Sequence, residues 1–136
     1  MLLVLDTNEY IFGFGLAEDA DCKKLIESLQ EKSPKHNIRI VRLIVEETRR
    51  NLSLEIFKEF ILFISKLTSI DEDIVVPFEL AAKYESMGFS PEDAFISAYT
   101  ELVGAEILVS ENRHFLSHRD DLPFKVFTAE KVLPML

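Results

Sequence analysis

The chain has no tryptophan and a single cysteine, Cys22, among 136 residues. One cysteine excludes an internal disulfide and gives no zinc-ligand spacing. No apolar run reaches the ~18 residues of a membrane span. The stretch from Met1 to Asp6 is too short for a signal-peptide core and meets an acid at once. A reducing, cytoplasmic setting is the expectation. An excess of positive charge is missing too. Lys and Arg number 15 against 24 Asp and Glu, a formal charge of −9. A protein that grips nucleic acid through phosphate contacts is usually basic. Three readings stay open: nucleic acid is not the partner, bound divalent cations change the local field around the carboxylates, or a basic protein covers the acidic surface.

What is present reads as one globular domain over residues 1–136. Hydrophobic residues make up 48% and charged residues 29%, and this length buries a core without a staple. There are no repeats, low-complexity tracts or linkers. Strands are predicted at 2–5, 37–41, 74–76, 107–109 and 125–127, the first as the continuous apolar run of a buried parallel strand. Helices are predicted between them. One follows Asp6 and is interrupted near Gly13 and Gly15, and one spans 19–32 with Leu25, Ile26 and Leu29 on a face. The stretch 43–66 divides into two helices, the second capped by Ser53. Pro77 opens a helix that Gly88 ends. Ser90-Pro91-Glu92-Asp93 starts another, which Gly104 ends, and a last helix begins at Ala129. Alternating strands and helices predict an α/β fold, with a mainly parallel sheet covered on both faces.

In such sheets the functional site lies outside the carboxyl ends of the strands. Asp6 falls directly after the first strand, where its alternative role is a helix N-cap. Glu46 and Glu47 lie one turn into the helix after the second strand, where a solvated surface is the ordinary explanation. Asp93 is the N3 residue of a capping box, yet Ala94, Phe95 and Ala98 turn that part of the helix inward. Ser110-Glu111-Asn112-Arg113-His114-Phe115 follows the fourth strand and reads as a polar loop. Carboxylates gathered at one sheet edge repel one another. A hard divalent cation, Mg²⁺ or Mn²⁺, relieves that repulsion and links the acids to a phosphate.

At these residues the chain resembles the PIN-domain family, in its toxin-like VapC branch. Val4-Leu5-Asp6-Thr7-Asn8 is similar to the first motif of that family. Ile44-Val45-Glu46-Glu47-Thr48-Arg49-Arg50-Asn51-Leu52 is similar to the second, Ser90-Pro91-Glu92-Asp93-Ala94-Phe95-Ile96-Ser97-Ala98 to the third, and Ile107-Leu108-Val109-Ser110-Glu111-Asn112-Arg113-His114-Phe115 to the fourth. The resemblance covers Leu2 to Phe127. It implies a three-layer α/β/α fold with about five mainly parallel strands, and metal-dependent endonucleolytic hydrolysis of RNA. It carries the acids over to Asp6, Glu47 and Asp93, with Glu46 in reserve for Glu47. Asn112 stands where the family often has Asp, so it brings an amide oxygen but no charge. Arg42 stands where the family often has Ser, Thr or Pro, which weakens the cap there and brings a cation toward the substrate.

The implied chemistry has Asp6 and Asp93 holding Mg²⁺ or Mn²⁺, whose water becomes the nucleophile. Glu47 holds the metal or orients that water, Asn112 completes the coordination through water, and Thr7 and Ser110 donate supporting hydrogen bonds. His114 is a loop or supporting residue. The resemblance also implies a homodimer and an antitoxin partner, which the formal charge of −9 suggests is basic. Phe57, Phe60, Ile61, Phe63 and Ile64 surround more of their helix than one buried face requires, which agrees with dimerisation or with a helix buried from both sides within one chain. Two other readings compete. One is a PIN-fold binding module with weakened catalysis, Asn112 being its mark. The other is a phosphatase or receiver domain, which lacks its second acid here because Asn8 follows Thr7 and no Lys closely follows Val109.

Overall fold

The apolar run at the start of the chain becomes the central strand of a five-stranded parallel sheet. In a computed structural model describing residues 1–17, 19–31, 35–118 and 120–136, strand β1 (Leu2–Leu5) pairs with β2 (Asn37–Val41) on one side and with β4 (Ile107–Val109) on the other. Strands β3 (Ile70–Asp71) and β5 (Lys125–Phe127) form the edges, in the order β3-β2-β1-β4-β5. Leu3, Val4, Leu5, Leu108 and Val109 expose no surface. Burial on both faces is the reason these strands read as continuous rather than alternating apolar runs.

The helices are α1 (Thr7–Phe14), α2 (Ala20–Glu31), α3 (Arg42–Asn51), α4 (Leu54–Leu67), α5 (Phe78–Ser86), α6 (Pro91–Leu102), α7 (Arg113–Ser117) and α8 (Ala129–Val132). Helix α1 packs on α2, α3 and α4, α5 packs on α6, and α8 packs on α2. Helices α1–α4 form one contacting group and α5 and α6 another, and the right-handed rule for parallel crossovers assigns the helices before β3 and those after it to opposite faces of this strand order. From β1 the chain proceeds to β2 and β3, then crosses back to β4 on the opposite side of β1. The carboxyl ends of β1 and β4 therefore flank the point where the order of strands reverses, where ligands bind in open sheets.

Local signals place the helix ends. Ser53, Ser90 and Thr128 cap α4, α6 and α8 through their hydroxyls. Gly88 and Gly104 take φ of 98° and 70°, the left-handed conformation that suits glycine. Gly13 has a different use. A Cβ on it would come within 2.7 Å of Ile26 Cγ1 and 3.3 Å of the Cys22 carbonyl oxygen, so its bare backbone permits α1 and α2 to pack closely.

The structure departs from expectation at four places. Residues 74–76 are not a strand: Asp73–Val75 forms a 3-10 turn with Ile74 92% exposed. The edge strand lies earlier, where Ile70 and Asp71 pair with Ile40 and Val41. Asp71 is fixed there by the Arg39 guanidinium at 2.7 Å and by the Tyr99 hydroxyl. The loop expected after β4 contains α7, whose N-cap is Asn112. Phe60, Phe63 and Ile64 on α4 are buried within the chain, with Phe60 against Tyr10 and both Phe60 and Phe63 against Phe14. The apolar surplus expected on α4 thereby shrinks to Leu54 and Leu62, exposed, with Phe57 and Ile61 half-buried. The predicted end of the second helix at Lys32 lies outside the described residues, and α2 is described to Glu31.

Candidate metal-binding active site

Register brings the first and fourth motifs together. Leu5 lies opposite Val109, and the Asp6 N–H donates to the Val109 carbonyl at 2.9 Å. Asp6 is the N-cap of α1, but its carboxylate reaches beyond that role. Oδ1 accepts the Thr7 N–H at 2.8 Å and Oδ2 accepts the Ser110 hydroxyl at 2.8 Å. Ser110 therefore supports Asp6 as expected. Thr7 does so through its backbone, while its own hydroxyl oxygen is buried without a hydrogen-bond partner among the described residues.

Asp93 arrives from α6. The Ser90 hydroxyl accepts the Asp93 N–H at 3.2 Å, one half of a capping box. The Asp93 carboxylate faces Asn112 instead, whose Nδ2 stands 3.4 Å from Oδ2. The Asn112 oxygen accepts the His114 N–H at 2.9 Å. That commitment turns the amide group, not the oxygen, toward the acids, so Asn112 meets them as a donor. The His114 ring lies against Phe89 and His118, with centroids 5.1 and 5.2 Å away.

Helix α3 separates the two adjacent glutamates. Glu46 pairs with Arg49 at 2.9 Å, on the outer face. Glu47 faces inward, and one of its oxygens is buried with no hydrogen-bond donor among the described residues. Val41 provides no side-chain cap, and Asp73 substitutes by accepting the Leu43 N–H at 2.9 Å. The cation expected near the substrate, Arg42, is held by two hydrogen bonds to Glu72.

Asp6, Glu47, Asp93 and Asn112 line one cleft of about 240 Å³, with Thr7, Asn8, Ile11, Asn51, Glu92 and Ile96. Sequence reasoning did not single out Asn51 or Glu92. A four-residue step along α3 from Glu47 reaches Asn51, and Glu92 adjoins Asp93. Burial pushes the Asp6 carboxyl above its usual range, opposed by the Ser110 and Thr7 hydrogen bonds and reinforced by Asp93 and Glu111. Burial likewise raises Glu47 to about 7, reinforced by Glu92, Asp6 and Asp93 and opposed by Arg50. This crowding of oxygen donors, with an orphaned Glu47 oxygen among them, fits a hard divalent cation.

No family model and no curated protein matches the chain. Solved structures do match its shape. VapBC2 from Rickettsia felis, bound to a DNA fragment from its promoter, aligns with a TM-score of 0.61 at 16% identity, over 94% of this chain and 98% of that one. FitAcB from Neisseria gonorrhoeae aligns at 0.63 and 14%, over 94% and 98%. Mycobacterium tuberculosis VapC20, a toxin that cleaves the sarcin-ricin loop, aligns at 0.58 and 18%, over 85% and 93%. The fold is the VapC-type PIN fold. Within it, the cleft of this chain occupies the carboxyl edge between β1 and β4, where such a sheet presents its ligands.

Proposed function

We propose that this protein is a divalent-metal-dependent endoribonuclease, the toxin of a toxin-antitoxin pair. The observation that carries this reading is the convergence of Asp6, Glu47 and Asp93, from three separated segments, on one cleft at the strand switch point. The PIN fold shared with a toxin that cleaves the sarcin-ricin loop supports it. Asp6, Glu47 and Asp93 hold Mg²⁺ or Mn²⁺. When bound, the ion lowers the pKa of a water and offsets charge on the scissile phosphate. Asp6 is oriented for this by Ser110 and by the Thr7 backbone. Glu47 supplies its unpartnered oxygen to the ion or to the attacking water. Asn112 steadies Asp93 through its amide, and because its oxygen caps α7 it would support a bound ion through water rather than as a direct ligand.

The expected partners follow. RNA is the substrate, and a basic antitoxin suits a chain of charge −9. A second copy of the chain docks on the outer strip of α4, where Leu54 and Leu62 are 68% and 60% exposed. The deciding experiment is cleavage of mixed-sequence RNA in Mn²⁺ and in EDTA, with Asp6→Asn and Asp93→Asn alongside. Cleavage that needs Mn²⁺ and both acids supports the nuclease. A wild type that binds Mn²⁺ and cuts nothing points instead to the catalytically weakened binding module, the reading that the uncharged Asn112 favours.

A further inference from the structure

One turn along α1 from Asp6, Glu9 is wholly buried. Its Oε2 accepts a 2.8 Å hydrogen bond from the Cys22 thiol on α2, and its Oε1 is buried with no hydrogen-bond donor among the described residues. Glu111, from the segment after β4, brings its carboxyl to the same point while Oε2 accepts the Ala129 N–H at 3.1 Å. One ligand atom from each of Glu9, Cys22 and Glu111 lies within 4.8 Å of the others. Gly13 makes the meeting possible, since the bare backbone four residues beyond Glu9 lets α2 approach α1 at Cys22 and Ile26.

We propose that Glu9, Cys22 and Glu111 form a second cation site, selective for a thiophilic divalent ion such as Zn²⁺ and separate from the acidic cleft. A deprotonated Glu9 leaves Oε1 a buried acceptor without a partner, at a cost of about 1–3 kcal/mol; the metal-free fold avoids this by keeping the Glu9 proton beside Glu111, and a cation takes the place of that proton. A thiolate with two carboxylates suits zinc or cobalt, whereas magnesium and manganese favour the all-oxygen set of the cleft. Three protein ligands leave the fourth tetrahedral position to water. Binding releases the Cys22 thiol proton and the Glu9 carboxyl proton, so one dication replaces two protons and the buried net charge is unchanged. Burial keeps both groups protonated in the metal-free fold, with Glu9 raised to about 9 and the thiol raised as well. Glu111 is partly exposed and provides the way in.

The test is a Co²⁺ titration of the metal-free full-length chain, followed by the near-ultraviolet thiolate-to-cobalt charge-transfer band. Wild type and Asp93→Asn are expected to develop the band, saturating at a single equivalent, and Zn²⁺ is expected to abolish it. Cys22→Ser should lose the band, and Glu9→Gln should weaken Co²⁺ binding by ~10-fold or more, the scale of lost metal-site interactions. Melting curves check that both variants fold. Should Cys22→Ser not fold, Glu111→Gln takes its place with the expectation given for Glu9→Gln. Uptake of Co²⁺ without a thiolate band places the ion in the cleft alone and overturns the proposal. A band of unchanged affinity in Glu9→Gln overturns it too. Because Asp93→Asn keeps this site while disabling the proposed nuclease, failure of one reading is distinguishable from failure of the other.

Discussion

The Ser110 hydroxyl donates a 2.8 Å hydrogen bond to Asp6 Oδ2 across 104 residues of sequence, joining the carboxyl ends of β4 and β1. Both residues are buried. Ser110→Ala leaves that carboxylate oxygen without its donor and is expected to cost about 1–3 kcal/mol. It removes the leading influence that holds the Asp6 pKa down, so protons compete better with a metal at Asp6. Denaturant melts and Mn²⁺ calorimetry at two pH values check both effects. Unchanged stability and unchanged affinity would show the bond to be dispensable.

Glu46 and Glu47 provide a paired test of register. Glu47→Gln should reduce RNA cleavage by orders of magnitude. Glu46→Gln should leave it intact, at a stability cost of at most ~0.5 kcal/mol, because Glu46 loses only an exposed ion pair with Arg49. The reverse pattern in a cleavage assay would move the site by one residue.

Asp93 separates folding from chemistry. As a capping residue alone, Asp93→Asn should cost up to ~1 kcal/mol and spare activity. As a metal ligand, its loss relieves repulsion, and the variant in EDTA melts at or above wild type while cleavage collapses. The second outcome is expected, because the Asp93 carboxylate faces the cleft and Asn112. Mn²⁺ at 100 times its dissociation constant should then stabilise wild type by about 2.7 kcal/mol and Asp93→Asn by much less.

Glu9 gives the metal-free protein a pH dependence. Its folded pKa, about 9, lies above its ordinary 4.5, first because of burial and then through Glu111. Between those values the folded chain holds a proton that the unfolded chain has released. Stability therefore falls as pH rises from about 4.5 to about 9 and is not penalised below that window. One such group gives a slope of at most ~1.4 kcal/mol per pH unit. Glu47 acts in the same direction up to about 7. Urea melts across this range should show Glu9→Gln with a shallower slope above pH 7, and an unaltered slope would remove Glu9 as its cause.

The outer strip of α4 predicts assembly. Leu62→Glu places a charge at a 60% exposed apolar position and should shift light scattering from dimer to monomer and remove any dependence of the melting point on protein concentration. A wild type that remains monomeric at high concentration contradicts the dimer.

Much of this organisation was legible because it is local. Apolar runs at β1 and β4 mark strands buried on both faces, Ser53 and Ser90 cap as their type dictates, and Gly88 and Gly104 adopt positive φ. Applying the strand-edge rule to those elements selected Asp6, the pair Glu46 and Glu47, and Asp93; the family resemblance preferred Glu47 within the pair, and the fold gathers Asp6, Glu47 and Asp93 in one cleft. Features that depend on distant partners were not legible. Ile74, Val75 and Val76 look like a strand, yet the pairing belongs to Ile70 and Asp71, where Arg39 and Tyr99 hold the register. Nothing in the sequence singles out Glu9, an acid in the first turn of α1. Only the close approach of α1 and α2, with the segment after β4, shows it to be buried beside Cys22 and Glu111.

The two outermost strands are short, with β3 two residues long and β5 three. A long bare strand at a sheet margin invites another chain to extend the ladder, the route to runaway fibrous growth. Here each margin offers an incoming backbone only a few donors and acceptors. Ladder growth at either margin is thereby disfavoured, and the pairing proposed for the outer strip of α4 would close on itself rather than propagate.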